Sequence, residues 1–142
     1  MQVDFTIPGP PVGKGRPRST KTGLHYTPKE TVNYEALVKS CYLDAAVRSG
    51  CKYFNNVEML YIHVDAYYET PKSMSKRDRE RVANGMLYPV KKPDCDNILK
   101  IVCDALNGVA YRDDAQICLA KVAKYYTADD PHVYVYLGEI YT

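Results

Sequence analysis

The 142-residue sequence has no tryptophan. It also has no apolar run long enough to cross a membrane, so we expect no membrane partner. Residues 1–10 lack the basic start and apolar stretch of a secretion signal, and we therefore expect a cytoplasmic protein. The five cysteines are odd in number and show no C-x-x-C spacing, which predicts reduced thiols and argues against structural zinc. A net charge of +2 is too small to indicate a partner, so the distribution of charge matters more.

Apolar periodicity predicts one α+β domain over residues 1–142. We predict strands over residues 2–7, 57–69, 116–127 and 132–141, and helices over residues 28–49, 76–83 and from about Asp96 to Leu106. The turn-forming residues 128–131 predict that the last two strands form a hairpin. The sheet is expected to be mixed or mainly antiparallel, with the helices packed on it.

Three local signals refine these elements. Thr27 and Glu30 predict a capping box at the start of the first helix, with Gly50 as its stop. Ser73 or Ser75 is expected to cap the second helix. In the strand over residues 57–69, the positions Leu60, Ile62, Val64, Ala66 and Tyr68 form the better core face, which leaves His63 and Asp65 on the other face.

Basic residues concentrate in two stretches. Residues 12–26 contain no acid, and their glycines and prolines predict a loop that carries Lys14, Arg16, Arg18 and Lys21. Around the second helix the cations outnumber the acids, with Lys72, Lys76 and Arg77 as the candidates for contact with a polyanion. Arginine forks match phosphate oxygens, so both stretches are candidate DNA-backbone contacts. The alternative is that both are solvated surface, the second with i,i+4 ion pairs such as Lys76–Glu80.

Acidic residues concentrate in residues 91–116. Asp94 and Asp96 lie on one side if the segment is extended and the helix begins at or after Asp96, which is a good N-cap. The pair Asp113 and Asp114 precedes the next strand, and a return to the sheet is expected to bring one of them back to this site; spacing does not choose between them. Three converging carboxylates suit Mg²⁺ or Mn²⁺.

Lys100 and Asp104 follow Asp96 at i+4 intervals on the predicted helix. Lys100 is placed to offset negative charge that develops during attack on a phosphodiester. A purely structural interpretation is also consistent with the spacing. In that case Asp96 caps the helix, Asp113 and Asp114 form a turn, and Asp104 pairs with Lys100.

Several linked motifs occur in one order along the chain: I-P-G-P-P-V-G-K-G-R-P-R, Y-T-P-K, K-P-D-C-D-N-I-L-K, D-A-L-N-G and Y-R-D-D-A-Q-I. Together they resemble the RusA family of Holliday junction resolvases, from Phe5 to about Val122. The resemblance implies a small homodimeric Mg²⁺-dependent endonuclease, often encoded by prophages, that resolves four-way DNA junctions in recombination and repair by paired nicks.

By motif position, the resemblance implies that Asp94, Asp96 and Asp114 are the catalytic carboxylates and that Lys100 is the essential lysine. Asp113 matches the first acid of the D-D pair, whose role is held less firmly. Cys95 stands where the family often has an apolar residue, a departure that affects packing more than chemistry. The loop over residues 109–111 differs in length or bulk, which leaves the preferred cleavage sequence open.

Two further functions are consistent with the sequence. One is a metal-dependent nuclease for other branched DNA, such as flaps or forks. The other is a junction-binding protein that does not cut, although carboxylates that face phosphate without a metal would repel it.

Overall fold

A four-stranded mixed sheet with two long helices on one face forms the body of the protein in a computed structural model, which describes residues 1–16, 18–51, 53–55 and 58–140. The strands are β1 (Gln2–Pro8), β2 (Arg18–Ser19), β3 (His25–Tyr26), β4 (Leu60–Glu69), β5 (Ile117–Thr127) and β6 (His132–Glu139). The helices are α1 (Lys29–Ser49), α2 (Lys76–Ala83) and α3 (Cys95–Leu106), and a 3-10 turn spans Asp114–Gln116. The α+β prediction is confirmed, while Val57 and Tyr141 of the predicted strands lie outside the described residues.

The strand order is β1-β6-β4-β5, so the predicted β5–β6 hairpin is wrong. β6 is antiparallel to both β1 and β4, whereas β5 is parallel to β4 at the edge of the sheet. The turn over residues 128–131 therefore crosses the end of β4, because β5 and β6 lie on either side of that strand. β4 lies between them, so both of its edges are paired, and every second residue from Leu60 to Tyr68 is buried on the core face.

The core lies between the sheet and the helices α1 and α3. Alternate residues of β1, β4 and β6 point into it, among them Ile7, Val64 and Val135. Helix α3 contributes the predicted stripe, and Ile98, Ile101, Val102, Ala105 and Leu106 are all buried. Apolar burial of this extent is the main driving force for folding.

The ends of the helices follow their local sequence in two cases and depart from it in one. Helix α1 begins at Lys29 with Pro28 as N-cap and no side-chain cap bond, so the predicted Thr27 capping box is wrong. The amide of Val32 donates to the Pro28 carbonyl (3.1 Å), which starts the helix one residue later than Thr27 would. Gly50 ends α1 in the left-handed conformation (φ 75°), as predicted. Ser75 caps α2 by accepting from the Asp78 amide (3.1 Å), also as predicted.

The other face of the sheet carries polar and aromatic side chains. His63 Nε2 lies 2.7 Å from Asp65 Oδ1 on this face, in a partly buried pair next to Tyr61. Such a pair is explained by strand alternation and local hydrogen bonding. Within the described ranges, no helix has the length and apolar character needed to cross a membrane.

Candidate active site

The two aspartates of the D-x-D motif lie at the start of α3. Asp94 is the N-cap, with extended backbone (φ −73°, ψ 156°), and Asp96 lies in the first turn. The prediction that the helix begins at or after Asp96, with Asp96 as N-cap, is therefore wrong. The amide of Ile98 donates to the Asp94 carbonyl (3.0 Å), so the helix gains a hydrogen bond by starting two residues earlier than predicted.

Both aspartates are exposed at the amino end of the helix. The helix dipole favours negative charge there, so two neighbouring carboxylates are tolerated at this end. Lys92 adds a contact, with its Nζ 3.8 Å from Asp94 Oδ2. The D-x-D pair is thus open to solvent, as a site that takes a large substrate requires.

Lys100 and Asp104 extend along α3 at the predicted i+4 spacing. Lys100 is exposed, and Asp104 is partly buried. Asp104 pairs with Lys14 (3.2 Å), so the alternative in which Asp104 pairs with Lys100 is not what the structure shows. Asp96 and Asp104 are separated by about 12 Å along the helix axis, at 1.5 Å per residue.

The segment after α3 returns the D-D pair to the carboxyl-terminal half of that helix. Tyr111 is fully buried and donates its hydroxyl to the Cys103 carbonyl (2.8 Å). Gly108, with φ 75°, reverses the chain, and its amide donates to the Tyr111 carbonyl (2.7 Å). The Asp114 amide then donates to Asn107 Oδ1 (2.8 Å). These bonds fix the backbone of Asp114 beside the end of α3.

Asp113 and Asp114 have different environments. Asp113 is the exposed N-cap of the 3-10 turn and forms a capping box with Gln116. Asp114 is partly buried, and burial, together with the hydrogen bond and charge of Asp113 and the charge of Asp104, raises the pKa of its carboxyl. Asp113 is thus engaged in local structure, while the surroundings of Asp114 disfavour its charged form.

The loop that begins the first basic stretch packs against both helices. A Cβ at Gly13 would lie 2.7 Å from Pro93 Cβ, so only glycine fits beside the D-x-D segment. The Lys14 amide donates to the Asn97 carbonyl (3.0 Å) on α3, and the Gly15 amide donates to Thr31 Oγ1 (3.1 Å) on α1. The G-K-G sequence therefore joins the amino ends of the two helices.

Lys14 reaches inward from this loop. Its Nζ lies 3.1 Å from Glu35 Oε1 on α1 and 3.2 Å from Asp104 Oδ2 on α3. Lys14 was predicted from the sequence to contact DNA, and Glu35 was not predicted as its partner. A partly buried acid within the apolar spacing of α1 was the available signal, but its partner lies 21 positions away.

Five of the other predicted basic residues are on the surface. Arg16 and Lys21 are exposed, and Arg18 begins β2 of a small two-stranded ribbon with β3 that the sequence analysis did not predict. Near α2, Lys72, Lys76 and Arg77 are exposed as well. The ion pair observed on α2 joins Arg81 to Asp78 (3.1 Å). The first and second basic stretches thus keep most of their cations available to solvent.

Comparison with known proteins decides the family. The family profile described as "Endodeoxyribonuclease RusA" matches residues 8–138. This chain belongs to the RusA family. A relative from Bacillus subtilis (strain 168), "Uncharacterized protein YqaN", is 36% identical over 146 aligned positions, which cover 97% of this chain and 96% of the relative.

RusA membership makes the chain an endodeoxyribonuclease that hydrolyses phosphodiester bonds at Holliday junctions, and it implies dependence on a divalent metal ion. The donor chemistry of the site fits such an ion, because hard carboxylate oxygens are available and a cation would offset the burial and the neighbouring carboxylates that raise the pKa of Asp114. The carboxylates are nevertheless divided between the two ends of α3. In the part of the chain that the structure describes, no three His, Cys, Asp or Glu side chains lie close enough to hold one metal ion.

Proposed function

We propose that this RusA-family protein resolves four-way DNA junctions by paired symmetric nicks in recombination and repair. The observation that carries the proposal is the family match over residues 8–138, which includes an exposed D-x-D start of α3 and an Asp114 held beside the other end of that helix. The family assignment further supports a bacterial or phage-encoded enzyme that acts on DNA in the cytoplasm.

We propose from motif position that Asp94, Asp96 and Asp114 would hold Mg²⁺, with Mn²⁺ as a substitute, although the structure leaves Asp114 at the opposite end of α3 from the D-x-D pair. When bound there, the ion would lower the pKa of a water molecule and polarise the phosphodiester. Lys100 is exposed one turn after Asp96, where its ammonium would offset negative charge that develops on the phosphate. Asp113 supports Asp114 by fixing the 3-10 turn through its capping box.

The DNA backbone is proposed to contact cations of the two basic stretches: Arg16, Arg18 and Lys21 in the first, and Lys72, Lys76 and Arg77 in the second. Lys14 has a positioning role in this proposal, because two carboxylates already hold its ammonium. Lys14 fixes the loop to α1 and α3, so that the cations that follow Lys14 in the loop remain free to contact DNA.

A homodimer follows from stoichiometry. Each chain offers one set of site residues, whereas resolution of a junction takes two nicks, and a two-fold dimer supplies both sites. Sedimentation should therefore give twice the chain mass of 16.1 kDa. A monomer that still makes both cuts within one binding event would contradict this part of the proposal.

The proposal is tested with a panel of labelled duplex, flap, fork and four-way substrates. Paired symmetric cuts in the four-way junction, with the other substrates left intact, are the expected result. Preferential cutting of flaps or forks would instead indicate a nuclease for other branched DNA. Junction binding without product in either Mg²⁺ or Mn²⁺ would indicate a binding protein.

A further inference from the structure

Two lysines from different segments converge on the ring of Tyr68. Lys124 Nζ, from β5, lies 5.3 Å from the ring centroid, and Lys91 Nζ lies 5.7 Å from it. Lys124 also donates a hydrogen bond to the Lys91 carbonyl (2.5 Å), which keeps the two lysines side by side. Two ammonium groups beside one ring repel each other, and the aromatic face compensates only part of that cost.

Lys91 and Tyr68 line an open pocket of about 330 Å³. Its walls include Pro10, Pro11 and Pro131, and its base includes Tyr68, which is only 4% exposed. Glu69 also lines the pocket, but it follows Tyr68 in β4, and strand alternation directs its side chain to the other face of the sheet. Lys91 therefore faces a concave, proline-walled surface, and Lys124 adds a second positive charge over the Tyr68 ring that lines it.

The pocket lies next to the D-x-D motif. The Tyr68 hydroxyl donates to the Pro93 carbonyl (2.9 Å), immediately before Asp94. Burial, with smaller effects from the charges of Cys95 and Asp94, raises the pKa of Tyr68 to about 12, which agrees with this proximity. Lys92 lines the same pocket and contacts Asp94. An anion held in the pocket would thus adjoin the proposed catalytic carboxylates.

We propose that this pocket is a phosphate subsite, in which Lys91 and Lys124 bind a backbone phosphate that flanks the scissile phosphodiester. The inference rests on the proposed nuclease function and adds residues outside the two basic stretches. Its physical role is to fix the register of the cut strand, because a charged contact to a flanking phosphate positions DNA without reading its bases. A DNA strand supplies such phosphates on both sides of the reacting bond.

The test measures binding of a labelled four-way junction in EDTA over a series of salt concentrations, with Lys91→Gln, Lys124→Gln and the double variant. Each lost phosphate contact should reduce the slope of log K against log salt by about 1 and weaken binding about fivefold near 0.15 M salt. Lys91→Gln removes the Lys91 charge but keeps the Lys91 carbonyl that accepts from Lys124. Its effect therefore reports the loss of the charge and not the loss of that hydrogen bond. Lys124→Arg should keep the wild-type slope.

Lys121→Gln is the matched control, because Lys121 lies on the same strand as Lys124. In the strand register Lys121 lies beside His63, on the opposite face of the sheet. A double variant with the wild-type slope, or a control that lowers the slope equally, would overturn the subsite. Melting curves verify that each variant is folded. Cutting of the junction by wild type in Mg²⁺ distinguishes the two claims. If wild type cuts and the double variant keeps the wild-type slope, only the subsite is contradicted. If wild type neither binds nor cuts the junction, the proposed function is contradicted as well.

Discussion

Lys14 connects the basic loop to the acidic helix at the scale of single residues. Burial by itself lowers the pKa of Lys14, but hydrogen bonds and charges from Glu35 and Asp104 outweigh it, so the pKa lies above its ordinary value. A raised lysine pKa means that the folded state holds the proton more tightly. The stabilisation is therefore complete at neutral pH and is lost only as pH rises through the folded-state pKa.

Replacement of Lys14 by Met should lower the free energy of unfolding by about 1–3 kcal/mol, since it leaves two partly buried carboxylates without their cation. Urea denaturation at pH 7 measures the change. Lys39→Met is a suitable control, because Lys39 is exposed on α1 and its replacement should change stability by less than about 0.5 kcal/mol. Equal effects of the two variants would refute the positioning role of Lys14.

Asp114→Asn should stabilise the metal-free protein at pH 7. The wild-type carboxyl has a raised pKa, so the folded state binds more protons than the unfolded state between the two pKa values, and stability falls as pH rises through that window. Asn removes the charge that Asp113 and Asp104 oppose, which should increase the free energy of unfolding by about 0.3–1 kcal/mol. The same variant should lose cutting activity.

Denaturation of wild type and Asp114→Asn at several pH values checks this expectation. The difference between them should disappear at acid pH, where the wild-type carboxyl is protonated. Asp129→Asn, with the same charge change in the turn between β5 and β6, is the control. Lower stability of Asp114→Asn at neutral pH would show that its charge is satisfied in the folded protein.

The connection over residues 128–131 has the largest consequence at the scale of elements. Thr127 and His132 lie on opposite sides of β4, against Glu69 and Tyr67 respectively. Two strand spacings of about 4.8 Å and an offset of two residues put their Cα atoms about 12 Å apart. Four residues cover that distance with ease, whereas two residues, with three Cα steps, reach at most about 11 Å.

Deletion of Asp129 and Asp130 should therefore break pairs at the end of the sheet and lower the free energy of unfolding by more than about 1 kcal/mol. Insertion of two glycines at the same place is the control and should cost less, because loop entropy grows slowly with length. Thermal unfolding followed by circular dichroism compares the two. A hairpin between β5 and β6 would tolerate the deletion.

The local sequence was sufficient to predict most helices and strands. It was not sufficient to predict features that depend on long-range contacts, such as the strand order. The apolar residues of α3 recur at helical spacing and form one stripe, so the helix could be predicted from periodicity. A turn signal specifies that the chain reverses, but it does not specify which strand lies alongside, and β4 took that place. The partners of Lys14 are equally non-local, since Glu35 and Asp104 are brought to it by the packing of α1 against α3.

Charge is divided across the whole molecule between an acidic helix and exposed basic stretches. Arg16→Ala with Arg18→Ala should weaken binding to all four-way junction sequences alike and reduce the salt slope by up to about 2, since phosphate contacts carry no base information. Anisotropy titrations over a salt series measure both quantities. Arg48→Ala, on α1 where Arg48 pairs with Asp44, is the control. An unchanged affinity and slope would show that the loop does not contact DNA.

The central claim is that the carboxylates of α3 cut junction DNA with a divalent metal. A denaturing gel of an immobile, end-labelled four-way junction tests it most directly, with wild type and Asp96→Asn compared in Mg²⁺ and in EDTA. We predict symmetric nicks only for wild type in Mg²⁺, linear duplex left uncut, and retained junction binding by Asp96→Asn. Junction binding by wild type without cleavage in any divalent metal, or equal cutting by Asp96→Asn, would contradict the account.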